Sequence, residues 1–350
     1  MRVAVVGAGI VGLHVAAEAV ARGHETYLLE REARLGEHTS GRNSGVVHSG
    51  IFYSPGSLKE RLCIEGNART WAWLTRLGVP HRRCGKLVLP DLGDESGLEA
   101  LAQKAAALGI PPVEQCTAAR LRELEPRVAG TVGLFVPSTG VVDAAAYLEA
   151  MRTHCRSSGV ELLTRCEVAG VDATGALQTS RGALPFDVAV NAAGLFADRV
   201  AEAVGLAGYG VRPTRGDYYV LPETGWLSRP VYHVARPGDP GLGVHLTPTL
   251  DGHVLLGPNV VSLASEARLD YRHASAPAAF EASLARYLPE ADPRRLAPGW
   301  SGNRPKLTFE GRPVGDFVLQ RQGAWVHALG IESPGLTAAP ALARALVDLL

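Results

Sequence analysis

Lysine is scarce in this chain. Of 35 basic residues only Lys59, Lys86, Lys104 and Lys306 are lysine, and the arginine excess reads as coding bias rather than function. Net charge is missing too: 35 acidic residues cancel the basic ones, so no global field recruits nucleic acid or an anionic membrane. No run of about 18 apolar residues occurs, which excludes a membrane-spanning helix. Cysteine is sparse as well. Cys63, Cys84, Cys116, Cys155 and Cys166 contain no C-x-x-C pair, and an odd, scattered set reads as reduced thiols of a cytoplasmic protein, with neither a disulfide frame nor a metal site. A first strand predicted from residue 2 leaves no room for a cleaved leader. What remains is 350 residues with 46% hydrophobic content, enough for one large or two ordinary domains with a buried core.

Against these absences stands one dense stretch, Arg2 to Glu30. It reads as a strand (Arg2 to Val6), a glycine turn (Gly7-Ala-Gly9-Ile-Val-Gly12), a helix over about residues 11–22, a tight turn at Gly23-His24 and a second strand from Glu25 to Leu29. That order defines a βαβ nucleotide-binding unit. Gly7 permits the tight exit from the strand, Gly9 admits a pyrophosphate close to the backbone, and Gly12 lets helix and strand pack together. The helix N-terminus presents free N–H groups and about +0.5 of partial charge to the phosphates. Glu30, at the tip of the second strand, is placed to accept hydrogen bonds from a ribose hydroxyl and disfavours a 2′-phosphate. A chance glycine turn would lack this flanking order of strand, helix, strand and acid.

The loop from Thr39 to Gly56 is small and polar and cannot bury itself for hydrophobic reasons, so its glycines and hydroxyls point to close backbone approach to a ligand beside the nucleotide. A helix over 58–77 is expected to bury Leu62, Trp71, Trp73 and Leu74. Residues 81–139 carry no glycine fingerprint, and within 211–299 the stretch 212–258 alternates in short period-two segments, followed by a helix over about 276–288. Together they predict an α+β substrate domain on an antiparallel sheet, with 1–80, 140–210 and 300–350 forming a discontinuous Rossmann-type α/β domain. Two further turns end strands and open helices, Asn191-Ala-Ala-Gly194 and Gly330 to Pro340. The second offers N–H groups and a dipole to an electron-rich partner; the first, alone, is as readily an ordinary strand-to-helix turn.

Taken together, Gly7-x-Gly9-x-x-Gly12 with Glu30, Arg42-Asn-Ser-Gly-Val-Val-His48 followed by Tyr53-x-Pro-Gly56, Asn191-Ala-Ala-Gly194, Gly243-Val-His245, Arg304-Pro-Lys-Leu307 and Ser333-Pro-Gly-Leu-Thr337 resemble the D-amino-acid-oxidase-type FAD-dependent oxidoreductases. The resemblance runs over almost the whole chain and is strongest to the L-2-hydroxyglutarate oxidase/dehydrogenase group. Asn303 departs from the apolar residue expected before Arg304, and the chain stops soon after its last helix, without the tail of larger members. The resemblance leaves peripheral membrane contact open.

The resemblance implies FAD in an extended pose over Gly7, Gly9 and Gly12, with its ribose on Glu30. Arg31, Arg42, Asn43, Ser44, Gly45, Val46, Gly194, Pro334, Gly335, Leu336 and Thr337 complete the implied cofactor set, and the flavin would lie between the two loops that carry most of them. It implies oxidation of a 2-hydroxy acid, L-2-hydroxyglutarate to 2-oxoglutarate, with electrons passing to oxygen, a quinone or an electron-transfer protein. An amino-acid oxidase or a glycerol-3-phosphate dehydrogenase would share the cofactor residues, and a flavin-binding sensor without turnover is the reading from another class. Arg304 is the candidate carboxylate ligand, because a guanidinium fork matches a carboxylate bidentately. Lys306 and Tyr53 complete the candidate substrate set. His245 and His48 compete as general base, with His245 preferred because it need not also hold the flavin.

Overall fold

The computed structural model describes residues 1–90, 95–234 and 243–350. Its first layer is a six-stranded sheet in the order Val318–Gln322, Trp325–Leu329, Val188–Asn191, Arg2–Val6, Glu25–Leu29, Glu161–Leu163. All pairings are parallel except that of the Val318–Gln322 edge strand. A run such as Val3-Ala-Val-Val6 suits a strand covered on both faces, and successive residues divide between them. Val3, Val5 and Leu28 pack with the helices Ile10–Ala21, Ala144–Ser157 and Gly335–Val347, while Ala4, Val6 and Leu29 pack toward a three-stranded meander over 168–184.

The helix ends follow from local chemistry. Asp143 accepts the Ala146 N–H at 2.9 Å and so caps the helix Ala144–Ser157, and Ser57 accepts the Glu60 N–H at 3.1 Å to start the helix Leu58–Arg76. On that helix Gly66 faces the last helix with no space to spare: an added methyl would stand 2.3 Å from the Thr337 carbonyl oxygen. No helix among the described residues is long and apolar enough to cross a membrane.

The second layer is a ten-stranded sheet, antiparallel except where Lys86–Leu89 runs parallel to Val231–His233. Its core joins Leu87, Leu246 and Leu256 of the sheet to Phe280 and Leu284 of the helix Ala278–Tyr287. Its spine is a pair of 13-residue strands, Tyr209–Leu221 and Ala297–Phe309. Here structure and expectation part. The sequence alone returns residues 300–309 to the nucleotide-binding domain; the structure keeps them in the larger sheet, because every residue from Ser301 to Phe309 pairs with the strand Tyr209–Leu221. A small sheet of Val46–Val47, Gly140–Val142 and His81–Arg82 joins the 39–56 loop to the segments that enter and leave the second layer.

Candidate active site

A cavity of about 560 Å³ lies between the layers. The first layer and its loops contribute Gly7, Gly9, Glu30, Arg31, Arg42, Asn43, Ser44, Val46, His48, Tyr53, Gly194 and the Ser333-Pro-Gly-Leu336 turn; the second contributes Tyr218, His245, Arg304 and Lys306.

The glycine turn is shaped by contacts only glycine allows. Gly7 has φ +102° and donates its N–H to Leu29 O at 2.7 Å, and a methyl on Gly12 would stand 1.8 Å from Gly7 O. Gly12 therefore serves the packing of helix on strand and does not reach the cavity. Glu30 is buried, one carboxylate oxygen accepting the Ala8 N–H and the other the Glu32 N–H, each at 2.9 Å. Each oxygen keeps acceptor capacity for a hydroxyl. Arg31 lies over the Phe196 ring at 3.8 Å and Arg42 over Tyr271 at 4.1 Å, flat cations on aromatic faces. Asn43 holds its own turn, accepting the Gly45 N–H at 2.8 Å and donating to Ser40 O at 2.6 Å.

Two further members of the expected cofactor set stand back from the cavity. Gly45, at φ +64°, is pressed onto Val142 O, which an added methyl would approach to 2.3 Å. Thr337 is fully buried; its hydroxyl oxygen accepts the His48 N–H at 2.9 Å and its carbonyl accepts the Thr70 hydroxyl at 2.9 Å. Both shape the walls from behind. Pro334, Gly335 and Leu336 do line the cavity, at the N-terminus of the helix Gly335–Val347.

At the chemical end, His245 sits on the strand His245–Pro248 with Nδ1 3.1 Å from Gly243 O and its ring stacked on Tyr232 at 4.0 Å. A carbonyl only accepts, so Nδ1 carries the hydrogen and Nε2 is left as an acceptor. Burial pushes the His245 imidazole down to about 3, with Arg304, His233 and Lys86 adding to the effect and the Gly243 carbonyl opposing it. His48 is likewise pushed down to about 3, by burial first and then by Lys86 and His245; its Nε2 is 3.5 Å from Ser333 Oγ. Both imidazoles are therefore neutral at physiological pH. Arg304 donates only to Asn259 O, at 3.3 Å, and has no carboxylate partner among the described residues.

Lys306 is less free than its candidacy implies. Its ammonium lies 2.8 Å from Glu332, which also holds Lys59 at 2.8 Å. Tyr53 lines the cavity with its hydroxyl 3.3 Å from Ser333 Oγ. Asn303, the departure before Arg304, is buried and donates to Arg268 O at 2.8 Å and Asp270 O at 3.2 Å, tying the strand to a neighbouring loop that an apolar residue could not hold. Sequence reasoning missed Glu332 and Tyr218. Burial pushes the Tyr218 phenol up to about 12 against the opposing pull of Arg304; in the sequence it is one member of an alternating strand, and only its neighbours mark it out.

A cradle closed to any side chain at Gly7, a buried acid with spare acceptor capacity and a helix N-terminus facing the same space fit a flavin dinucleotide. Residues 2–349 match the family model described as FAD dependent oxidoreductase, and the chain belongs to that family; FAD is its cofactor. Within the family it is similar to L-2-hydroxyglutarate dehydrogenase of Escherichia coli (strain K12), 37% identical over 272 residues that cover 73% of this chain and 63% of that protein. The chain thus spans less than two thirds of that relative. The mitochondrial L-2-hydroxyglutarate dehydrogenase of Nematostella vectensis is 32% identical over 99% of this chain and 89% of its own length. Among solved structures, L-alpha-glycerophosphate oxidase from Mycoplasma pneumoniae with FAD bound covers 100% of this chain and 94% of its own, with a TM-score of 0.87 and 27% identity.

Proposed function

We propose that the protein oxidises L-2-hydroxyglutarate to 2-oxoglutarate in the cavity between the layers. The observation that carries this reading is a guanidinium without a carboxylate partner among the described residues, Arg304, sharing one cavity with the neutral imidazoles of His245 and His48. The names of the relatives support the choice of substrate. Arg304 takes the α-carboxylate in a fork, and that grip orients the hydroxyl-bearing carbon. His245 Nε2 accepts the hydroxyl proton, already in its acceptor form because burial keeps the ring neutral. Bound FAD supplies the acceptor for the α-hydride. The N-terminus of the helix Gly335–Val347 directs a positive dipole end at the space beside the loop, where negative charge is best placed.

Anaerobic titration of the FAD-loaded protein with L-2-hydroxyglutarate, glycerol 3-phosphate and L-amino acids tests the reading. Bleaching by L-2-hydroxyglutarate with stoichiometric 2-oxoglutarate is expected. Bleaching by one of the others alone reassigns the substrate, and no bleaching at all leaves a flavin-binding sensor. Rapid mixing of His245→Ala and His48→Ala separates the two bases: loss of the acceptor slows reduction by about 10²- to 10⁴-fold. Reoxidation of the reduced protein by oxygen, a quinone or an electron-transfer protein identifies the acceptor.

A further inference from the structure

Three of the four lysines are paired with acids: Lys59 and Lys306 with Glu332, and Lys104 with Glu60. Lys86 is the exception and the most buried, at 1% exposure, with no carboxylate within ion-pair distance among the described residues. It starts the strand Lys86–Leu89, and its ammonium lies against two stacked rings, 4.1 Å from the centroid of Phe52 and 5.0 Å from that of Tyr232. Phe52 belongs to the loop that carries His48, and Tyr232 is the ring on which His245 is stacked. One cation therefore touches the ring stacked on His245 and a ring of the loop that carries His48, from behind the cavity wall.

Aromatic faces replace only part of the hydration that an ammonium loses on burial. The groups facing Lys86 are His48 from the loop, Cys63 from the helix Leu58–Arg76, and Tyr232 and His245 from their strands. Burial keeps the Cys63 thiol and the Tyr232 phenol protonated, so neither provides a counter-charge. We propose that Lys86 is a positioning residue acting through His48 and His245: uncharged, it lets an imidazole take up the substrate's proton, and charged, it holds that step back. The inference rests on the functional reading above for the identity of the proton acceptors. The two charge states are both accessible because burial brings the ammonium down to about 7. Like charges separated by several ångströms in such a site couple by about one pH unit, so the two states should differ in rate on the order of tenfold.

The scarcity of lysine makes the test direct. Isotope labelling of the lysine ε-carbons in the FAD-loaded protein gives one resonance for each of the four. One is expected to titrate near neutral pH and to vanish in Lys86→Met. The limiting rate of anaerobic flavin reduction by saturating L-2-hydroxyglutarate should rise through the same pH in the parent. Lys86→Met should run at the parent's high-pH rate throughout, and Lys86→Arg, permanently charged, at its low-pH rate. A structural role would damage both variants alike, without opposite pH behaviour. The proposal is overturned if no lysine titrates below about pH 9, or if the inflection survives in Lys86→Met. Should that variant fail to hold FAD, a parental inflection in Lys86→Arg overturns it equally. A parent flavin that L-2-hydroxyglutarate does not reduce counts against the functional reading, and the lysine titration still decides this one.

Discussion

The hydroxyl oxygen of Thr337 accepts the main-chain N–H of His48 across 2.9 Å, joining residues 289 positions apart. On the other side of the same residue, the Asn67 amide donates to His48 O at 2.8 Å and to Ser138 O at 2.9 Å. The imidazole is thus presented from a backbone gripped on both edges. Thr337→Val keeps the shape and removes the acceptor, leaving a buried N–H unpaired at a cost of about 1–3 kcal/mol. The holoprotein should melt about 1–4 °C lower, and its flavin should be reduced more slowly while FAD content stays normal. Calorimetry and rapid mixing read both effects; unchanged values would mean the loop is held by Asn67 alone.

Glu30 is committed to two backbone N–H groups of the turn it faces. Glu30→Ala loses those bonds together with any bond to the ribose, and one charge-assisted hydrogen bond is worth about 1.5–3 kcal/mol. FAD titrated into apoprotein should therefore bind roughly ten- to a hundredfold more weakly, with substrate preference unaltered. Fluorescence quenching of the flavin measures this, and parental affinity would remove Glu30 from the nucleotide site.

Arg304→Lys keeps the charge and loses the fork. The value of kcat/KM for L-2-hydroxyglutarate should fall by about 1.5–3 kcal/mol in transition-state terms, with FAD content unaffected. A parental kcat/KM in steady-state assays would assign the substrate carboxylate to another group.

Acid should loosen the fold through its buried histidines. His14, hydrogen-bonded to the Tyr147 hydroxyl at 2.6 Å, is pushed from 6.5 down to about 3, chiefly by burial and secondarily by His154 and Arg76. Between those values the unfolded chain binds a proton that the folded chain refuses, so stability is complete above 6.5 and falls as pH drops toward 3. Each such histidine costs about 2 kcal/mol at pH 5. The urea midpoint should drop between pH 7 and pH 5, and less steeply in His14→Gln. Equal slopes in parent and variant would contradict a neutral buried His14.

What could be read from the residues in order was whatever local spacing determines. Gly7 to Glu30 forms its unit because turn, helix and second strand are neighbours in sequence, and Arg2–Val6 and Glu25–Leu29 pair as that spacing predicts. The pairing of Tyr209–Leu221 with Ala297–Phe309 was hidden, since nothing local states which distant strand will take its hydrogen bonds. The same limit applied to side chains. Arg304 and His245 are chemically conspicuous and both line the cavity, whereas the hold of Glu332 on Lys306 and the two rings against Lys86 depend on residues that only the folded chain brings together.

The order of pairing in the first sheet also bears on how the chain is made. The strand Arg2–Val6 has Val188–Asn191 as one neighbour, which in turn lies against Trp325–Leu329, and the helix Ile10–Ala21 is covered by Gly335–Val347. A nascent chain emerging N-terminus first therefore carries its glycine turn and an open strand edge until residues 188–191 have followed. Closures over such sequence distances are slow, and unpaired edges attract other chains meanwhile. FAD can find its complete cradle only after residue 335 has left the ribosome, which makes the preceding period the window in which chaperones protect this protein or proteases remove it.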